Sequence, residues 1–117
     1  MLIPARDLKP ETKPAMRGGS GTITVHHLVP AEHLKGSRLI AKVVVPPGGS
    51  IGNHEHLNET EYYHVLQGRG EYVDNGKTCP IAEDDTTVTL HGESHGVRNT
   101  GSEHLALLAI IVLHSPK

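Results

Sequence analysis

From residue 22 to residue 113 the chain is a succession of short β-rich runs cut by turn signals, and no stretch holds the apolar spacing of a helix. The runs cover residues 22–29, 38–45, 61–67, 70–73, 77–81, 86–90, 96–99 and 104–113. Asp74-Asn75-Gly76 separates two of them and is the strongest hairpin signal, because Asn-Gly suits a two-residue turn with positive φ. Pro46-Pro47-Gly48-Gly49 ends another run, Asn99-Thr100-Gly101 offers a further turn, and residues 30–36 have the composition of one short helical turn. Strands this short, with no helices to cover a parallel sheet, predict an all-β antiparallel sandwich or barrel.

The first 21 residues differ. Pro4, Pro10 and Pro14, followed by Gly18-Gly19-Ser20-Gly21, break both helix and strand, so an N-terminal arm over 1–21 and one β domain over 22–117 are expected. A chain of 117 residues can bury one modest core, which a bound metal or a partner subunit would reinforce. Eleven Lys and Arg against 13 Asp and Glu, with no basic cluster among aromatics, argue against nucleic acid as a partner. Cys79 is the single cysteine, so no intramolecular disulfide is possible. The N-terminus lacks the apolar centre of a signal peptide and the longest apolar run, 105–113, is too short to span a bilayer. A cytoplasmic protein without a membrane partner is the expectation.

Ten histidines are present, and their spacing carries the chemistry. His54 and His56 are two apart, which in an extended strand puts both rings on one face, about 7 Å apart at the backbone, so that both can reach one ion. Glu61 has the opposite parity and rejoins that face only if the chain turns within Leu57-Asn58-Glu59-Thr60. A third imidazole, His95, follows on a later run. Three imidazoles and a carboxylate suffice to hold a metal.

Gly48, His54, His56, Glu61 and Gly68 fall on every position of the first cupin motif, and Gly92, His95 and Asn99 on the second, where Asp84 and Leu90 replace its glycine and proline. The chain therefore resembles the cupin superfamily over about half its length. That resemblance implies a jelly-roll barrel, the double-stranded β-helix, with metal ligands at His54, His56, Glu61 and His95 in its mouth. His26, His27, His33, His64, His91, His104 and His114 match no motif position and are expected to be surface or strand-pairing residues; His91 stands beside the implied site.

Such a ligand set suits Mn, Fe, Ni, Co, Cu or Zn better than Mg or Ca, which prefer oxygen shells. Four protein ligands leave two positions of an octahedral ion open to a small oxygenated or anionic molecule, such as a carboxylate. Tyr63 shares the strand face of Glu61 and is the candidate catalytic hydroxyl, while Arg38 and Lys42 could anchor a carboxylate if they point inward. Three readings remain open: a dioxygenase, decarboxylase or isomerase; a non-catalytic binding protein; and a metal that only clips strands together. Residues 105–113 are apolar on both faces, so the face not turned to the core needs cover from the second sheet, the N-terminal arm or a second subunit, and a homodimer is expected.

Overall fold

The computed structural model describes residues 1–114 and is an antiparallel β structure of two sheets. Residues 115–117, the end of the expected domain, lie outside the described residues. Ten strands follow in order: β1 Glu11–Pro14, β2 Thr22–His27, β3 Ser37–Val45, β4 Ser50–Glu55, β5 Glu59–Gln67, β6 Arg69–Asp74, β7 Lys77–Ala82, β8 Thr86–Thr89, β9 Ser94–Asn99 and β10 Leu105–Leu113. One sheet runs β1-β2-β3-β10-β5-β8 and the other β4-β9-β6-β7, the layering of a jelly roll. Short 3-10 turns at Ala5–Asp7, Met16–Gly18 and Ala31–His33 are the helical elements among the described residues, the last inside the expected helical turn at 30–36. No helix among them is long and apolar enough to cross a membrane.

The eight expected runs all become strands, and the hairpin between β6 and β7 turns at Asn75 and Gly76 with φ of 50° and 85°. Asp84, where the cupin motif has glycine, adopts φ 72°, so the turn keeps its left-handed geometry with a residue that tolerates it. Two strands were not expected. The segment before Thr22 is not irregular throughout: β1 pairs with β2 from Glu11↔Val25 to Pro14↔Thr22 at the sheet edge, the place where proline is tolerated because its missing N–H faces away from the ladder. β4, with Gly52, Asn53, His54 and Glu55, has little β-branched content and is a strand because it pairs with β9.

The core lies between the sheets. Ile23, Val43, Val45, Val65, Leu105 and Leu107 from the six-stranded sheet meet Ile51, Tyr72, Ile81 and Val97 from the other, each burial stabilising by about 1.5–3 kcal/mol. In β10, Leu105, Leu107, Ala109 and Ile111 point inward and are buried. For the opposite face the sequence left three covers open, the second sheet, the N-terminal arm or a second subunit. The second sheet lies on the inner side, and β1 extends the same sheet at its edge. Leu28, Ile40, Ile110, Tyr62 and Val88 stand in one row on that outer face, with Tyr62 38% and Val88 45% exposed.

Candidate metal centre

The chain reaches the barrel mouth on β4, turns, and returns on the other sheet. Asn58 takes φ 60° at that turn, and its backbone N–H donates to Nδ1 of His91 at 2.8 Å. His91 thus braces the turn. Glu61 rejoins the histidine face because the chain crosses between sheets between His56 and Glu59, as the parity argument required.

Four donors meet there. Nε2 of His95 lies 3.1 Å from Nε2 of His56, 3.1 Å from Nε2 of His54 and 3.0 Å from Oε1 of Glu61, while Nε2 of His56 lies 2.9 Å from the same oxygen. A ring nitrogen carries one proton or one lone pair and cannot satisfy three such neighbours by hydrogen bonding. A cation can: two donors ~2.1 Å from one ion and at right angles stand roughly 3.0 Å apart, against roughly 3.4 Å in a tetrahedron. The residues therefore form a cluster that could bind a metal ion, with spacing closer to the octahedral case.

Each ring is aimed by a bond at its other nitrogen. Nδ1 of His54 donates to the carbonyl of Gly52 at 2.8 Å; Nδ1 of His56 donates to Oε2 of Glu59 at 2.5 Å; Nδ1 of His95 lies 2.7 Å from Oγ1 of Thr89 and 2.9 Å from the Tyr72 hydroxyl. With Nδ1 so engaged, the Nε2 lone pairs turn inward. Glu59 is itself held by Arg38, whose Nε and Nη2 donate at 2.7 and 2.8 Å. Its carboxyl is lowered to about 2, first by the Arg38 bonds and, against burial, by His56.

Electrostatics separate the rings. Burial, partly offset by the Gly52 bond, pushes the His54 imidazole down to about 4, with the other two histidines and Arg17 adding to the fall. His56 is raised, because bonds to Glu61 and then Glu59 outweigh its desolvation. Burial would lift the Glu61 carboxyl, but bonds from His56 and His95 outweigh it and hold it below its ordinary value. The carboxylates that favour a proton on His56 would equally favour a cation between the rings.

A cavity of about 610 Å³ opens over the cluster, walled by Lys13, Arg17, His27, Arg38 and Tyr63 among others. Tyr63 stacks on His95, ring centres 4.9 Å apart and planes 12° apart, and is buried. Burial, then the Glu61 charge, raise its phenol well above the ordinary value, so it stays a proton donor. The two expected carboxylate anchors are not available in that form. Lys42 pairs with Leu108 and His26 on the outer face of the sheet, and Arg38 lines the mouth but is spent on Glu59. His27, expected on the surface, lines the mouth, where its Nε2 lies 2.9 Å from Glu11.

Sequence reasoning missed Glu59, Thr89 and Tyr72. Glu59 had a signal, since it stands two before Glu61 and so on the same strand face. Thr89 and Tyr72 come from other strands, β8 and β6, and carried none.

Comparison with known proteins agrees with this geometry. The cupin domain family matches residues 41–111. An oxalate-binding protein of Thermotoga maritima is 41% identical over 114 residues, covering 97% of this chain and 94% of that one. The crystal structure of a predicted oxalate decarboxylase of T. maritima superposes with a TM-score of 0.91 at 41% identity, covering 97% of this chain and 99% of that one. A cupin 2 conserved barrel domain protein of Salinispora arenicola superposes at 0.67 with 27% identity, over 77% and 75% of the two chains. Strand order, a His and Glu cluster between the sheets and these likenesses lead to one conclusion: the chain belongs to the cupin family.

Proposed function

We propose that this cupin binds a small carboxylate of the oxalate class on a divalent transition metal held by His54, His56, Glu61 and His95. The observation that carries the reading is the convergence of three Nε2 atoms and Oε1 of Glu61 at the floor of an open cavity. The name of the T. maritima relative, an oxalate-binding protein, supports the choice of ligand class. Imidazole with one carboxylate suits Mn, Fe, Ni, Co, Cu or Zn. Such an ion, when bound, supplies Lewis-acid positions for carboxylate oxygens.

The chain's own residues prepare that place. Glu59 and Arg38 fix the His56 ring, Thr89 and Tyr72 fix His95, and the Gly52 carbonyl fixes His54, so that little ordering remains when a ligand arrives. Tyr63 presents the hydroxyl of a buried ring at the cavity wall and donates to a ligand oxygen.

Turnover by decarboxylation, oxygenation or isomerisation is the second reading, favoured by Tyr63 as a proton donor next to the cluster. Against it, the other acids nearby are committed as carboxylates. Glu59 bonds to Arg38 and His56, and Glu11 pairs with His27 and Lys13. Binding therefore ranks above turnover. The apolar outer row on the six-stranded sheet supports assembly as a homodimer through that face.

Calorimetric titration of oxalate into protein purified without chelators, and into the same protein stripped of metal, tests the reading. Saturable binding by the metal-bearing protein alone supports it; equal binding by both, or by neither, overturns it. Formate or carbon dioxide released from the same mixture at a rate set by the protein would move the assignment to an enzyme, and Tyr63→Phe should then abolish the release without loss of metal.

A further inference from the structure

Besides His54 and His56, four side chains that can carry positive charge line the mouth, and three of them are already engaged. Nζ of Lys13 lies 3.2 Å from Glu11, His27 lies 2.9 Å from the other oxygen of that carboxylate, and Arg38 grips Glu59 with two bonds. Arg17 has no carboxylate partner among the described residues. It is the one guanidinium at the mouth left to meet a ligand.

Its backbone is held where it is. Arg17 has φ 54° and ψ 30°, the left-handed region that residues with a Cβ avoid, and Ala15 in the same turn has φ 50°. Met16–Gly18 lies flat on β4, so closely that a Cβ at Gly52 would overlap the Arg17 carbonyl oxygen and one at Gly19 the Ser50 carbonyl. The turn is closed by Ala15 N–H to Gly21 O at 3.0 Å, Ser50 N–H to Ser20 O at 2.9 Å and the Ser20 hydroxyl to Gly48 O at 2.9 Å. A glycine at position 17 would make this turn without strain, yet an arginine stands there, its carbonyl against Gly52, two residues before His54 on β4. The positive charge reaches the site. It lowers His54 after burial and the other histidines have done so, and it opposes the burial and Glu61 charge that raise Tyr63.

We propose that Arg17 is a specificity-determining residue that takes the second carboxylate of a small dicarboxylate whose first carboxylate is held at the metal. The proposal rests on the carboxylate reading above and adds the requirement for two acid groups. A guanidinium forks onto a carboxylate with two parallel bonds, and the fixed backbone of the turn leaves only the exposed Arg17 side chain to be ordered on binding. A monocarboxylate would use the metal end of the cavity and leave Arg17 idle.

Titration of oxalate and of acetate into wild type, Arg17→Gln, Arg17→Gly and Ala15→Gly, each purified without chelators and with its metal content measured, tests this. Oxalate affinity should fall roughly ten- to a hundredfold in both Arg17 variants, with acetate affinity and metal content unchanged. Glycine relieves the strained φ at either position, so Arg17→Gly and Ala15→Gly should both melt higher than wild type, but only Arg17→Gly should lose oxalate. Unchanged oxalate affinity in Arg17→Gln and Arg17→Gly, with wild type binding oxalate, overturns the role of Arg17 and leaves the carboxylate reading standing. Equal loss of oxalate and acetate, or loss of metal, in the Arg17 variants makes the residue structural and also overturns it. Wild type that binds neither acid overturns the carboxylate reading itself, and Arg17 falls with it.

Discussion

The outer face of the six-stranded sheet carries an apolar row, Leu28, Ile40, Ile110, Tyr62 and Val88, whereas the outer face of the four-stranded sheet carries the Glu71 and Arg98 ion pair. Their inner faces differ as well. The four-stranded sheet brings His54 and His95 on adjacent strands, paired directly across the ladder, while the six-stranded sheet brings Glu61 and the supporting Glu59. The layers share one core but differ outside. One sheet exposes an apolar row, and the other holds most of the imidazoles and carries an ion pair on its outer face. The candidate metal centre is where they meet, since its four donors come from both sides of the barrel.

Substitutions can break that comparison at each point. The largest effect belongs to the ligands: His54→Ala or His95→Ala should abolish metal binding by elemental analysis, whereas His114→Ala, whose ring bonds to Thr60, should leave it unchanged. An ion held by these four residues would join the two sheets, so chelation should also destabilise wild type by about 2.7 kcal/mol where free metal had stood at a hundred times its Kd, seen as a lower melting temperature, and should leave His95→Ala unaffected. Ile110→Asp puts a charge in the centre of the apolar row. Gel filtration with light scattering should find a dimer in wild type and a monomer in this variant, with metal content retained.

The supporting residues sharpen the comparison at smaller magnitude. Glu59→Gln should weaken metal affinity by about 10- to 100-fold, since it removes the charged partner of His56 and leaves Arg38 unpaired. Tyr72→Phe should cost less, because Thr89 still meets Nδ1 of His95 at 2.7 Å. Competition against a metallochromic dye separates the two. Arg98→Ala should change the unfolding free energy by no more than about 0.5 kcal/mol, since an exposed ion pair contributes little. A large loss there would mean that the polar sheet face is an interface too.

Much of this architecture was legible. β-branched runs and turn residues located eight strands, and the His54, His56, Glu61 and His95 spacing located the cluster, because both signals are local or periodic in the chain. β1 and β4 were hidden for opposite reasons. Prolines flank or end β1 and mark it as irregular, although an edge strand tolerates them, and β4 is a polar, glycine-bearing segment that neighbours hold extended. The supports of the site were harder to see. Thr89, Tyr72 and Arg38 reach the ligands or their partners from strands far apart in sequence, and nothing in local pattern shows which side chains a barrel will bring together. Lys42 shows the same limit from the other side, because strand alternation alone left its face undecided until pairing with Leu108 put it outside.

The most direct measurement is the metal content, in moles per chain, of wild type and His95→Ala purified without chelators or a histidine tag. Near one transition-metal ion per chain in wild type and almost none in the variant is the expected result. Equal content in both proteins, or none in wild type even after soaking with metal, would contradict the assignment of these four residues as the metal site.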